Sequence, residues 1–173
     1  MSPDLDPNRP ALGSGSPEHF WTKVPRVGRV GLVVRQTSVD GCGPACAAML
    51  LADRGIEVDQ DASAEPMMLP CGAPDLARRL SELSSTAWTG GSLAELPKSP
   101  GAVVREICIR HGSWAALLEP HGFRRVGHWV VVDQVNNDGV ILLRDPVGEA
   151  YGISAEEFAS LWSYAMLVME SRS

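Results

Sequence analysis

The pattern of this chain changes at Gly112, and that change narrows the fold it can adopt. Ahead of Gly112, apolar residues fall at helical spacing. The run Cys42 to Arg54 (CGPACAAMLLADR) is rich in alanine and leucine, carries Pro44 in its first turn and is followed by Gly55; these are helix start and stop signals. Leu76, Leu80 and Leu83 mark a second helix over Asp75 to Leu83, and Ser99-Pro100 opens a third, with Val103, Val104, Ile107 and Cys108 keeping its rhythm to His111. Beyond Gly112, β-branched and aromatic residues come in short runs: Ser113 to Leu118, Gly127 to Val135, Val140 to Arg144 and Tyr164 to Met169. The cluster Asn136 to Gly139 makes the middle two a hairpin. Ser154 to Glu157 reads as a capping box opening a short helix through Leu161, with Phe158 and Trp162 as core. Helices first and an antiparallel sheet after them define an α+β fold.

Less regular stretches complete the reading. Residues 1–28 are rich in Pro, Gly and Ser and read as a flexible N-terminal segment or linker ahead of one domain over 29–173. Val30 to Gln36 reads as a short strand or extended segment, Thr37 to Gly41 as a turn, 56–72 as irregular, and Trp88 to Ser92 (WTGGS) as a turn. Arg124 and Arg125 read as a solvated rim.

Composition removes several function classes. The chain has 173 residues, enough to bury a core without disulfide or metal staples. Its longest apolar run, Ala45 to Ala52, is far short of the roughly 18 residues a membrane span requires. The opening MSPDLDPNRP lacks the basic start and apolar block of a secretory signal. A net charge of −6 argues against a sequence-blind nucleic-acid binder. Cys42, Cys46, Cys71 and Cys108 show no regular spacing. Without a signal peptide they read as free thiols in a reducing compartment rather than as disulfides or a zinc site. Cys108, on an apolar helical stripe, reads as an inert core thiol. The question becomes which thiol reacts.

Cys42 opens its helix, where free backbone N–H groups and the positive end of the dipole favour a thiolate, the nucleophilic form. Gly41 and Gly43 flank it and leave room for a substrate backbone. His128 heads an apolar strand, and its near-neutral pKa permits acid–base work. If Val135 pairs with Val140 across the hairpin, Asp145 lies opposite Val130, one diagonal step from His128 on the same face. Diagonal neighbours are about 7–8 Å apart, within reach of longer side chains, so Asp145 can hold the imidazole's second nitrogen. Asp133 is the competing carboxylate but falls on the opposite face; Asp138 belongs to the turn. Gln36, six residues before Cys42, carries an amide able to donate to an oxyanion. Each of these residues alone has an ordinary structural reading; their coincidence suggests a nucleophilic site.

The run from Gln36 through Cys42-Gly-Pro-Ala-Cys46-Ala-Ala-Met-Leu resembles the nucleophile motif of the papain-like, bacteriocin-processing double-glycine leader peptidases. Gly-His128-Trp-Val-Val-Val resembles that family's histidine strand, and Leu-Arg-Asp145-Pro146 its aspartate motif, in the same chain order. The resemblance spans roughly residues 30–169. It implies a papain-like fold, with an N-terminal helical part carrying the nucleophile packed on a C-terminal antiparallel sheet. It also implies Cys42 as nucleophile, His128 as base and then acid, Asp145 as orienter and Gln36 as oxyanion donor. Gly43 and Trp129 are placed against the substrate, with core filling as the alternative for Trp129. The implied reaction is hydrolysis of peptide bonds after Gly-Gly, with no metal and no organic cofactor. Gly41 departs from the family, which usually has Asp before the cysteine; Asp40 stands one place earlier. No membrane helices or nucleotide-binding domain follow, so the expectation is a stand-alone domain. Its partners are a protein or peptide substrate and, for a delivered toxin, a cognate immunity protein, with no role for nucleic acid or membrane. The expected location is the cytoplasm of a bacterium, or a target cell into which the domain is delivered. A glutamine deamidase or transglutaminase-like enzyme and a non-catalytic leader-binding module remain as alternatives, although the second usually goes with loss of the nucleophile. Gly90-Gly91 is noted as a remote candidate for self-cleavage.

Overall fold

The computed structural model describes residues 31–65, 67, 69–95, 98–120 and 126–170. The expected N-terminal segment and the Arg124-Arg125 pair lie outside them. In chain order the elements are α1 (Cys42–Ala52), α2 (Gln60–Ala64), α3 (Ala73–Ser84), β1 (Trp88–Ser92), α4 (Pro100–His111), β2 (Trp114–Leu118), β3 (His128–Val135), β4 (Val140–Asp145), β5 (Glu149–Ser154), α5 (Ala155–Leu161) and β6 (Trp162–Met169). The strands form one antiparallel sheet in the order β1-β6-β2-β3-β4-β5.

Alternation along the strands divides the core in two. Ala115, Trp129, Val131 and Leu167 face α1 and α3, meeting Cys46, Met49, Leu50, Leu76 and Leu80. Ala116, Val130, Val132, Ile141 and Leu143 face α4 and α5, meeting Val104, Ile107 and Phe158. In this second core the rings of Trp114 and Phe158 each lie 5.5 Å from that of Trp162. Helix α1 is apolar on every side and buried from Cys42 to Leu51. It is wedged between β3, α2 and α3, as an all-round hydrophobic helix must be. The first residue of α1 is therefore pressed against the start of β3.

The hairpin differs from the simple expectation in a way that preserves its outcome. Gly139 takes a left-handed φ of +79°, and Asn136 N–H donates to Val140 O at 2.9 Å. The turn thus closes one residue later than expected, and Val135 pairs with Ile141. A bulge between Val132 and Gln134 then absorbs the extra residue and restores Val131 opposite Arg144. At the far end of the hairpin the expected register holds.

Two local expectations are corrected, one pair of alternatives is settled and one strand is added. Residues 31–36 are not a strand; Gln36 N–H bonds Pro146 O at 2.8 Å, but no ladder forms. The stretch 56–72 contains α2, started by Asp59, whose side chain accepts from Asp61 N–H at 2.9 Å. Trp88 to Ser92 is edge strand β1, paired along its length with β6. Its Gly90 is required because a Cβ there would collide with the Ala73 carbonyl at the start of α3. Strand β5 went unread: Glu149, Tyr151 and Ile153 alternate, but Gly152 interrupts the β-forming composition.

Candidate active site

Three element ends converge. Cys42 is the first residue of α1, His128 the first of β3 and Asp145 the last of β4. All three are buried, at 5%, 8% and 1% exposure. His128 Nε2 lies 2.8 Å from Asp145 Oδ1. The charges of Cys42 and His128 act on each other; with Nε2 turned to the carboxylate, Nδ1 is the nitrogen left for the sulfur. The carboxylate is fully engaged: Val147 N–H donates to Oδ1 at 3.0 Å and Tyr151 OH to Oδ2 at 2.6 Å.

Burial by itself would raise the Cys42 thiol. The hydrogen bond and charge of His128, together with backbone bonds from Trp129 and Gly43, outweigh burial and bring its pKa below the ordinary value. Burial would lower His128, yet the charge and hydrogen bond of Asp145, then Cys42, lift it to about 9. Burial would raise Asp145; His128, Tyr151 and the Val147 N–H hold it down. The opposed shifts favour a thiolate–imidazolium pair over two neutral groups. The other thiols go the opposite way, chiefly through burial. Cys46 is raised well above its usual value, Cys71 to about 12 and Cys108 to about 11. Iodoacetamide near neutral pH is therefore expected to label Cys42 stoichiometrically ahead of the other three, read by peptide mass mapping. Equal, slow labelling of all four would contradict the pairing.

Gln36 is 4% exposed, and its N–H bonds the carbonyl of Pro146, the residue after Asp145. Its Nε2 donates to the carbonyls of Ser38 at 2.8 Å and Val39 at 3.0 Å, bracing the turn that delivers Cys42. Its Oε1 is buried without a hydrogen-bond partner. Gly43 and Trp129 both pack against Cys71. The α-carbon of Gly43 abuts Cys71 Sγ so closely that a Cβ would clash. Trp129 is 2% exposed, and its Nε1 bonds Cys71 O at 3.1 Å. Both positions belong to the packing around Cys71. Asp133, the competing carboxylate, is on the other face, bonded to Arg144 Nη2 at 2.8 Å and to Ser113 Oγ at 2.9 Å.

Sequence reasoning missed Tyr151. It lies on the unread strand β5, so no register placed it near Asp145. The alternation Glu149, Tyr151, Ile153 just after a turn was the available signal.

A sulfur at a helix tip, an imidazole and a carboxylate, carried by helix and sheet in this arrangement, have the layout of a papain-like cysteine peptidase domain. Its relatives agree. Residues 121–173, which include His128 and Asp145, match the Peptidase C39 family. Over 132 residues, or 76% of its length, the chain is 33% identical to "Cysteine protease effector 1" of Escherichia coli O1:K1:H7. It spans only 25% of that relative's length. The fold is similar to the peptidase domain of Streptococcus ComA, a bifunctional ABC transporter involved in quorum sensing. That similarity has a TM-score of 0.63 at 16% identity and covers 81% of this chain and 98% of that one. It is equally similar to a double-glycine motif protease from an AMS/PCAT transporter, solved with its leader peptide, with a TM-score of 0.63 at 17% identity over 87% and 98% of the two chains. Residues 121–173 thus carry the match to the C39 family, and the fold is that of C39 peptidase domains.

Proposed function

We propose that this domain hydrolyses peptide bonds through Cys42, His128 and Asp145, cuts after Gly-Gly, and acts as a delivered effector on proteins of another cell. The observation that carries the chemistry is the buried grouping of Cys42, His128 and Asp145 at three element ends, with His128 Nε2 2.8 Å from Asp145 Oδ1. In the proposed cycle the Cys42 thiolate attacks the scissile carbonyl, and the imidazolium of His128 gives its proton to the leaving amine. A water molecule, deprotonated by the neutral imidazole, then releases the acyl group from sulfur. Asp145 keeps the ring aimed and stabilises its charged form. Gln36 serves the oxyanion by turning an amide hydrogen from the Ser38 or Val39 carbonyl toward it.

The Gly-Gly preference is supported by the similarity in fold to the double-glycine protease, and the effector role by the similarity to the E. coli effector protease. Among the described residues no helix is long and apolar enough to cross a membrane. A delivered protease endangers the cell that makes it, so a cognate inhibitor protein is the expected partner. The test is a peptide library rich in Gly-Gly sites, read by mass spectrometry. Two fragments split after the second glycine are expected. An intact chain about one dalton heavier would instead identify a glutamine deamidase using the same nucleophile, and cleavage indifferent to Gly-Gly would remove the specificity.

A further inference from the structure

We propose that Tyr151 is a positioning residue of this site, holding the Asp145 carboxylate in the orientation that His128 Nε2 requires. The inference rests on reading Cys42, His128 and Asp145 as the catalytic line. Asp145 ends β4 with neighbours on both sides. Toward β3, His128 is its diagonal neighbour. Toward β5, Asp145 pairs with Glu149, which makes Tyr151 the diagonal neighbour on the same face, a distance that aromatic side chains span. The two oxygens are divided between these flanks. Oδ1 takes His128 Nε2 and the Val147 N–H; Oδ2 takes the Tyr151 hydroxyl at 2.6 Å. Among the described residues Tyr151 supplies the hydrogen bond on Oδ2. An O–H···O⁻ bond of this length is charge-assisted and directional, and Tyr151 is itself only 3% exposed, its ring set in the second core. The ring fixes the hydroxyl, the hydroxyl fixes the carboxylate plane, and the carboxylate aims the imidazole at the sulfur.

Removing the hydroxyl leaves a buried carboxylate oxygen unpartnered. The carboxylate plane is then no longer fixed, and the imidazolium is held less firmly against the sulfur. That raises the pH at which the Cys42 thiolate forms.

The rate of Cys42 alkylation by iodoacetamide as a function of pH tests this without knowledge of the substrate. Tyr151→Phe is expected to raise the acid-side midpoint by roughly half to one pH unit, since a hydrogen bond to a charged group is worth a unit or more at its acceptor and part of that is transmitted. In an Asp145→Asn background the same substitution is expected to shift nothing further. Incorporating 3-fluorotyrosine at position 151 keeps the fold and the hydroxyl while strengthening the donor, and is expected to lower the midpoint. An unmoved midpoint in Tyr151→Phe, or an equal shift in the Asp145→Asn background, overturns the role of Tyr151. A wild-type Cys42 no more reactive than the other three thiols overturns the catalytic reading itself, so the two failures are distinguishable.

Discussion

Cys42→Ala is expected to abolish peptide cleavage, lowering kcat by roughly 10⁴-fold or more, as loss of a covalent nucleophile does in enzymes whose catalytic groups act as a unit. Nothing among the neighbouring thiols replaces it. Cys46 and Cys71 are buried with raised pKa values, so they are protonated at neutral pH and poor nucleophiles. The substitution removes one sulfur from a helix that is packed over nine further residues, so the variant is expected to remain folded by circular dichroism. Residual cleavage within tenfold of wild type would show that the chemistry lies elsewhere.

The wild-type pH profile follows from the same pair. Cleavage requires the Cys42 thiolate together with the protonated His128. On the acid side, rate rises as the lowered thiol pKa is passed. On the basic side, His128 has its pKa raised to about 9, so rate is expected to fall as pH climbs through about 9 rather than near the 6.5 of an unperturbed imidazole. A basic limb near 6.5 would mean that Asp145 does not stabilise the imidazolium.

Arg144→Met is expected to destabilise the domain by about 3–5 kcal/mol, the usual loss when one partner of a buried ion pair is removed. For a domain of this size that is about 10 °C in Tm, measured by calorimetry. Arg144 is 1% exposed. Its Nε and Nη2 bond Asp133 Oδ1 at 3.1 and 2.8 Å. Its Nη1 reaches Asp53 Oδ1 at 3.0 Å and the Leu32 carbonyl at 2.9 Å. One guanidinium thus ties the sheet to the residue that caps the C-terminal end of α1 and to the segment leading to Gln36. Burial disfavours its charge, but the bond to Asp53 and the charges of both carboxylates more than compensate. With methionine in its place, Asp53 and Asp133 lose the guanidinium that joins them. Unchanged Tm would show that the network contributes no net stability.

The elements that carry the chemistry were legible because their signals are local. The alanine-rich run behind Cys42, Pro44 in its first turn and the capping box at Ser154 each act within a few residues. The His128–Asp145 relation was readable because hairpin pairing is a short-range rule, although the turn and the bulge at Asp133 each moved the register by one and cancelled. Where local preference conflicted with packing, the reading failed. WTGGS has turn composition, yet it pairs along β6 because α3 needs a glycine beneath it. Gly43, read as clearance for a substrate backbone, also makes room for Cys71.

From the amino-acid order alone came the α+β class, the helix that begins at Cys42 and the diagonal placement of His128 and Asp145. All are set by periodicity and turn chemistry over short spans of chain. Tertiary structure alone decided that α1 presses its tip against β3, that Tyr151 closes the far side of Asp145, and that Arg144 grips a carbonyl 112 residues away. Such contacts depend on how whole layers stack, because burial and charge pairing are properties of what surrounds a residue and not of its neighbours in sequence.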